Sequence, residues 1–373
     1  MIKMDFIPIS EPNIGDKELE YVTDAVKSWW VSSLGYYVEK FEKDFAAYCN
    51  AKYGVSVSSG TVALHLALVA LKIGVWDEVI VPNLTFAATA NAVLYTGANP
   101  VLVDVESDTG NINVDFIEQH ITSKTKAIIV VHLYGHPCDM DRVNEIAKKY
   151  NLFVIEDCAE AHGAEYKGKR VWKFSDISCF SFYGNKIITT GEWGMCLTDD
   201  ENLNQRMREL RDHGMKKDKR YRHAEIGFNY RMTNLQAAIW CAQLERIDDF
   251  IQIKRNNTKL YNELLKNINW ITLPIEKGYA KSTYRMYTIF VDKDKLGMDR
   301  DTFIKTLKEN WIDSRQVFYP LVDMPPYEQF WKKDELKISN QLSYSWLNLP
   351  SSTKLTKEKI EFICKTIIEI CKK

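Results

Sequence analysis

The sequence predicts an α/β fold, with a large unit built on a mainly parallel sheet and a smaller C-terminal α+β unit. Five runs support the first part: "DEVIVP" (77–82), "PVLVDV" (100–105), "AIIVVHL" (127–133), "LFVIED" (152–157) and "ISCFSF" (177–182). They are continuously apolar rather than alternating, which is how strands buried on both faces of a parallel sheet read. Helical patterns separate several of them, and helices packed on both faces of such a sheet complete the class. A change of texture near Leu244 supports the second part.

Taken in order, "SSGT" (58–61) places hydroxyl caps and a glycine ahead of an apolar helix over 60–72. The first three strands follow, and "DMDRVNEIAKKYN" (139–151) carries apolar residues at helical spacing before the last two. From Leu244, "LERIDDFIQIKRNNTKLYNELLKN" reads as one long amphipathic helix. A strand at "YRMYTIFVD" (284–292) and helices at 300–310 and 356–372 complete the smaller unit. The boundary is drawn between a large unit at 1–245 and a connecting helix with a small unit at 246–373.

Composition excludes several roles. The 373 residues are 46% hydrophobic and 27% charged, with a formal net charge of −1. That balance gives no electrostatic footprint for nucleic acid or a membrane surface. No apolar run reaches membrane-spanning length, and "MIKMDFIPIS" lacks the apolar core of a secretion signal. The eight cysteines are scattered without a C-x-x-C pair. Reduced thiols in a cytoplasmic protein are expected, and no metal site.

In open α/β sheets ligands bind beyond the carboxyl ends of the strands. Asp157 closes "LFVIED", Ser181 and Lys186 follow or end "ISCFSF", and Phe86 follows "DEVIVP". "SSGT" puts Gly60 and Thr61 at a helix N-terminus, a natural phosphate site. Each has an ordinary structural reading alone: a capping carboxylate, a solvated lysine, an N-cap, a core aromatic. Together they match pyridoxal phosphate, which needs a Schiff-base lysine, an acidic partner for its pyridinium nitrogen, an anion cradle and a flat surface for its ring.

The chain resembles the DegT/StrS sugar-nucleotide aminotransferases, pyridoxal-phosphate enzymes of the aspartate-aminotransferase fold (fold type I). The resemblance runs nearly full length. It includes "WWVSSLG" (29–35), "SSGTVALHLAL" (58–68), "VPNLTFAATAN" (81–91), "VHLYGHPCDM" (131–140) and "VIEDCAEAHGA" (154–164), and continues through "SFYGNKIITTGEWGM" (181–195), "GFNYRMTNLQAAI" (227–239) and "SRQVFYPLVDMPPYE" (314–328). It implies Lys186 as the Schiff-base lysine and proton shuttle, and Asp157 as partner of the pyridinium. Glu160 would lie by the phenolic oxygen and Phe86 on the ring. Gly60, Thr61 and Ser181 would bind the phosphate. Asn229 would reach the phosphate in a neighbouring subunit, which implies a homodimer with shared active sites. L-glutamate would donate the amino group to carbon 4 of a nucleotide-linked 4-keto-6-deoxy sugar, GDP-4-keto-6-deoxymannose first, with UDP- and dTDP-linked sugars as alternatives. Arg315 and His162 are candidate substrate contacts, with His162 reading equally well as a satisfied histidine behind the cofactor. The basic segment 216–223 reads mainly as a solvated charge run.

Two departures stand out. Members with the nearest motifs usually carry histidine two residues after the proline of "YPLVDMPPY", where this chain has Val322. Furthermore, Trp29, Trp76, Trp172, Trp193 and Trp240 fall on expected glycines, and the chain has 17 glycines where an average of roughly 7% would give about 26. One decoding reading accounts for all five: a gene whose UGA codons specify glycine, translated as though UGA were tryptophan. The alternative is a divergent, catalytically impaired member whose turns have adapted to bulk.

Overall fold

A computed structural model describes residues 5–216, 218–330 and 335–370. Lys217 of the basic segment, and residues 371 and 372 of the last predicted helix, lie outside the described residues. In chain order the strands are β1 (Tyr53–Val57), β2 (Glu78–Pro82), β3 (Asn99–Val103), β4 (Thr125–Val131), β5 (Phe153–Asp157), β6 (Glu165–Tyr166) and β7 (Lys169–Arg170). After these come β8 (Ile177–Ser181), β9 (Gly194–Thr198), β10 (Ile271–Thr272), β11 (Ala280–Lys281), β12 (Tyr287–Val291), β13 (Arg315–Gln316) and β14 (Trp346–Leu349). The helices are α1 (Asp16–Lys27), α2 (Tyr36–Cys49), α3 (Gly60–Ala70), α4 (Ala88–Tyr95), α5 (Met140–Tyr150) and α6 (Glu201–Arg211). They continue with α7 (Asn234–Leu244), α8 (Ile247–Leu265), α9 (Lys293–Leu296), α10 (Arg300–Glu309), α11 (Lys337–Ser345) and α12 (Lys357–Ile370).

The large sheet has seven strands in the order β1-β9-β8-β5-β4-β2-β3. Neighbours from β3 to β8 pair in parallel, and β9 alone runs antiparallel to both of its partners. The five predicted strands are all present, shifted by at most two residues at an end. β1 and β9 were not predicted. The helix expected from Leu244 is divided: α7 ends at Leu244 and α8 starts at Ile247, with Arg246 between them at φ −116°.

Helix α3 forms because Ser59 caps it, its hydroxyl accepting from Val62 N at 3.2 Å. Its sequence is apolar nearly all round and residues 63–68 are buried, as expected of a helix lodged between the sheet and other helices. Helix α5 is amphipathic: Met140, Val143, Ile146 and Ala147 face inward, and Asn151 ends it at φ 53°. Glu42 of α2 is buried and ties three elements together. It accepts from Ser56 N at 3.0 Å and meets Arg208 at 2.7 Å and Arg211 at 2.5 Å.

The second sheet is antiparallel, in the order β10-β12-β14-β13. β12 alternates, with Tyr287, Ile289 and Val291 buried, because only one of its faces meets the core shared with α8, α10 and α12. A third, three-stranded sheet, β11-β6-β7, and the backbone seam beside it join the two units. β11 pairs with β6, Thr283 N donates to Gly135 O at 3.1 Å, and Arg285 N donates to Tyr134 O at 2.9 Å. Lys254 of α8, fully buried, donates to Arg285 O at 3.0 Å and Ser351 O at 2.5 Å.

The backbone at four of the five anomalous tryptophans has positive φ: Trp29 at 66°, Trp76 at 75°, Trp172 at 103° and Trp193 at 133°. For a side chain this large such values are outliers. Trp240 instead lies within α7, fully buried against Phe41, with ring centroids only 4.1 Å apart.

Candidate active site

A cavity of about 580 Å³ opens at the carboxyl ends of the large sheet's strands, with β12, β13 and β14 contributing or flanking its other wall. Asp157, the last residue of β5, and Ser181, the last of β8, both line it. Gly60 and Thr61 line it from the N-terminus of α3, and Lys186 from the turn that follows β8. Glycine at 60 is dictated by contact: a Cβ there would lie 2.6 Å from Ser181 Cβ. The bare backbone therefore lets the helix start press onto the end of β8. Gly194 at the start of β9 serves similarly, since a Cβ there would come within 2.4 Å of Ser59 O.

Two cations and a backbone N–H converge on Glu160. Its Oε1 lies 2.9 Å from Arg285 Nη1 and 3.7 Å from Lys186 Nζ, and its Oε2 accepts from Tyr134 N at 3.0 Å. Arg285 also donates to Asn185 O at 3.2 Å. Burial pushes the Lys186 ammonium down to about 8; Glu160 opposes that fall and Arg285 adds to it. Lys186 thus has accessible free base near neutral pH, unlike a solvated lysine. Asp157 accepts from Thr89 Oγ1 at 3.0 Å and Ala159 N at 3.1 Å. Burial raises its carboxyl above the usual range, with those two donors pulling against the shift.

Phe86 stands at the rim, 61% exposed, with its ring 5.9 Å from that of Phe318. Arg315 also lines the cavity, and its side chain is largely exposed. Two predicted residues are not brought in. Asn229 is exposed and lies outside this chain's own cavity, bridged to Asp212. The expectation that His162 meets substrate is corrected. Its side chain is fully buried behind the cavity, 5.6 Å from the Phe180 ring and 5.2 Å from the Phe182 ring. Burial and the nearby Lys186 charge hold its imidazole down to about 3, so it stays neutral. Val322, the other departure, is buried with its N–H on Asn83 Oδ1 at 3.0 Å and does not line the cavity. The residues of the basic segment from 218 to 223 are exposed.

Sequence reasoning missed Arg285, Tyr134 and Thr89. A charge inside the apolar run "YRMYTIF" was the available signal for Arg285. Away from the cavity, His132, Glu156 and Cys158 lie together and fully buried. Glu156 is already engaged by His132 at 3.0 Å, Trp172 N at 2.8 Å and Ser175 Oγ at 2.7 Å, so the group reads as a hydrogen-bonded cluster.

The residues present fit pyridoxal phosphate. A buried lysine of lowered basicity, a buried carboxylate at a strand end and a helix start stripped to glycine all face one cavity. The helix start leaves N–H groups unpaired for an anion. Lys186 would hold the cofactor's carbonyl carbon, Asp157 its ring nitrogen, and Gly60, Thr61 and Ser181 its phosphate.

Comparison with known proteins agrees. The DegT/DnrJ/EryC1/StrS aminotransferase family profile matches residues 12–368. GDP-perosamine synthase of Escherichia coli O157:H7 is 47% identical over 98% of this chain and 99% of its own length. The enzyme of the same name from Caulobacter vibrioides is 44% identical over 98% of each chain. A dTDP-3-amino-3,6-dideoxy-alpha-D-galactopyranose transaminase of Aneurinibacillus thermoaerophilus is 39% identical over 94% of each. Among solved structures, DesV of S. venezuelae superposes with a TM-score of 0.92 at 30% identity, covering 99% of this chain and all of its own. The pyridoxal-phosphate form of a putative sugar aminotransferase from Streptococcus pneumoniae gives 0.92 at 27%, covering 98% of this chain and 99% of its own. The chain belongs to the DegT/DnrJ/EryC1/StrS aminotransferase family and is a pyridoxal-phosphate-dependent sugar aminotransferase of fold type I.

Proposed function

We propose that this enzyme moves the amino group of L-glutamate to carbon 4 of GDP-4-keto-6-deoxymannose, giving GDP-perosamine for a surface polysaccharide. The observation that carries the chemistry is Lys186 buried in one cavity with Asp157 and Glu160, opposite the N-terminus of α3. The choice of sugar is supported by two relatives named GDP-perosamine synthase at 44% and 47% identity.

Bound in this cavity, pyridoxal phosphate supplies an electron sink for the carbanion formed when a C–H proton leaves. Lys186 Nζ would hold the cofactor and, as a free amine, would move the proton at the sugar carbon. Asp157 keeps the ring nitrogen protonated. Glu160 holds the charge beside Lys186, shared with Arg285 at 2.9 Å. Gly60, Thr61 and Ser181 bind the phosphate, Phe86 covers the ring, and Arg315 meets substrate.

Asn229, exposed and outside its own cavity, serves a neighbouring subunit in a homodimer with shared sites. The exposed apolar residues Trp30, Val31, Leu34 and Tyr36 give such a dimer a surface to cover. The large unit spans 1–245 and the small unit 246–373. The enzyme works in the cytoplasm. In support, no helix among the described residues is long and apolar enough to cross a membrane, and the described cysteines are free and buried.

A second reading keeps the chemistry and changes the sugar to a dTDP- or UDP-linked one. It is favoured by the 39% identity to the dTDP-sugar transaminase. Glutamate-dependent amination assayed side by side on GDP-, UDP- and dTDP-linked 4-keto-6-deoxy sugars decides between them. Turnover of a UDP or dTDP sugar equal to or above that of the GDP sugar overturns the first reading. Failure to aminate any of the three overturns both.

A further inference from the structure

Positions held by tryptophan recur where the backbone or the packing suits glycine, and we infer that the chain made in its own cell carries glycine at 29, 76, 172, 193, 240 and 311. Trp311 is the sixth, identified by the structure alone: its φ is 65°. Thirteen non-glycine residues among those described have positive φ, and five of the thirteen are tryptophan. Asparagine, which tolerates that region best among side-chain-bearing residues, supplies only two, Asn50 and Asn151.

Each position has its own geometric demand. Trp311 follows the end of α10, where its N–H donates to Lys308 O and Ile312 N donates to Leu307 O, both at 3.0 Å. That pair of bonds is the helix-ending motif whose left-handed residue is usually glycine. Trp29 holds the corresponding place after α1, its N–H on Val26 O at 3.1 Å. Trp76 is third in the turn closed by Asp77 N on Gly74 O at 3.1 Å, where positive φ calls for glycine. Trp172 at 103° and Trp193 at 133° lie beyond the small left-handed well of roughly +50 to +70° open to other residues.

The rings earn no compensating contact in the exposed cases. Trp29 is 90% exposed and Trp76 is 76% exposed. The Trp193 and Trp240 indole N–H groups are buried without a hydrogen-bond partner. Trp240 packs on Phe41 at 4.1 Å between centroids, closer than the usual range of about 4.5–7 Å. By contrast Trp270 has ordinary backbone and an edge-on partner in Phe303 at 5.5 Å, and Trp346 sits within β14.

One exchange repeated in six unrelated local settings has one cause outside the fold: UGA codons that mean glycine in the cell, written as tryptophan. Two measurements test this. The six codons are read from the gene, and peptides of the protein purified from its own cells are weighed. UGA codons and glycine masses at the six positions, with UGG and tryptophan retained at 30, 270 and 346, are the expected result. UGG codons or tryptophan masses at the six overturn it. As an independent arm, the tryptophan chain and the six-glycine chain are expressed from synthetic genes. The six-glycine chain is expected to melt at the higher temperature and take up pyridoxal phosphate. Equal or higher stability of the tryptophan chain overturns the inference.

Discussion

Replacing Glu160 by glutamine will make Lys186 a weaker base, and the distances set the scale. At 3.7 Å and an effective dielectric of about 20, an opposite charge is worth about 4.5 kcal/mol, or roughly 3 pKa units. Arg285 and the Tyr134 N–H hold the same carboxylate more closely, at 2.9 and 3.0 Å, so Lys186 feels only part of it. A fall of at least about one unit from about 8 is expected. The assay is the rate at which the cofactor-free protein captures added pyridoxal phosphate at different pH values, because only the free amine of Lys186 reacts. With a one-unit fall, capture near neutral pH accelerates by about fivefold. Arg285→Gln removes a like charge and leaves Glu160 to Lys186, so its profile will move the opposite way, to higher pH. Breaking a buried pair costs about 3–5 kcal/mol, so each variant is first checked for a cooperative melt. Profiles that stay put, or move in the same direction, refute the reasoning.

Asp157→Asn is expected to retain cofactor but lose amino transfer by on the order of 10²-fold or more, the scale of losing a group that places a proton; steady-state turnover checks it. Glu42→Gln will flatten the acid dependence of stability. Burial would raise the Glu42 carboxyl, but Arg211 and then Arg208 outweigh burial and hold it at about 2, below the usual glutamate range. Its stabilisation is therefore complete above the unfolded value and is lost as pH falls through the folded one, roughly 3 kcal/mol in all. Urea titrations at several acidic pH values measure this, and an unchanged slope in Glu42→Gln would contradict the pairing. At Trp29, glycine will be more stable than alanine by about 1 kcal/mol, because the left-handed backbone penalises any Cβ by about 1–2 kcal/mol while glycine gives back part through the unfolded chain. At exposed Glu361 within α12 the order will reverse. Both pairs are compared by urea midpoint.

Much of this molecule was legible because the sheet is covered on both faces. Continuous apolar runs then mark each strand, and their carboxyl ends bring Asp157, Ser181 and Lys186 into view. β1 and β9 escaped because "YGVSV" and "GMCLT" mix glycine and hydroxyls into their strands. Gly194 is required by the approach of Ser59 O, a contact that no local pattern encodes. The break between α7 and α8 has no proline or glycine to announce it. Arg246 there donates to Asn13 O at 2.9 Å and pairs with Glu18 at 2.5 Å, so a remote segment holds the residue at the break. His162 stayed open between two readings because a histidine just past the end of a strand looks the same from the sequence whether it faces the cavity or the aromatic layer behind it, where the structure has it. Arg285 was missed because its partner Glu160, in the turn after β5, is 125 residues away in the chain.

The seam between the two units bears on how the cavity can open. β11 is bonded to β6, and the next few residues are bonded to Tyr134 and Gly135. The far flank is bonded as well: Leu321 N donates to Asn83 O at 2.8 Å, Val322 N to Asn83 Oδ1 at 3.0 Å and Ser339 N to Asp104 Oδ1 at 2.8 Å. Turning one unit against the other would therefore cost several hydrogen bonds at once on either side. The spacing of Arg285, Glu160 and Lys186 is thus fixed by the frame, and the exposed side chains of Phe86 and Arg315 are left as the adjustable parts of the entrance.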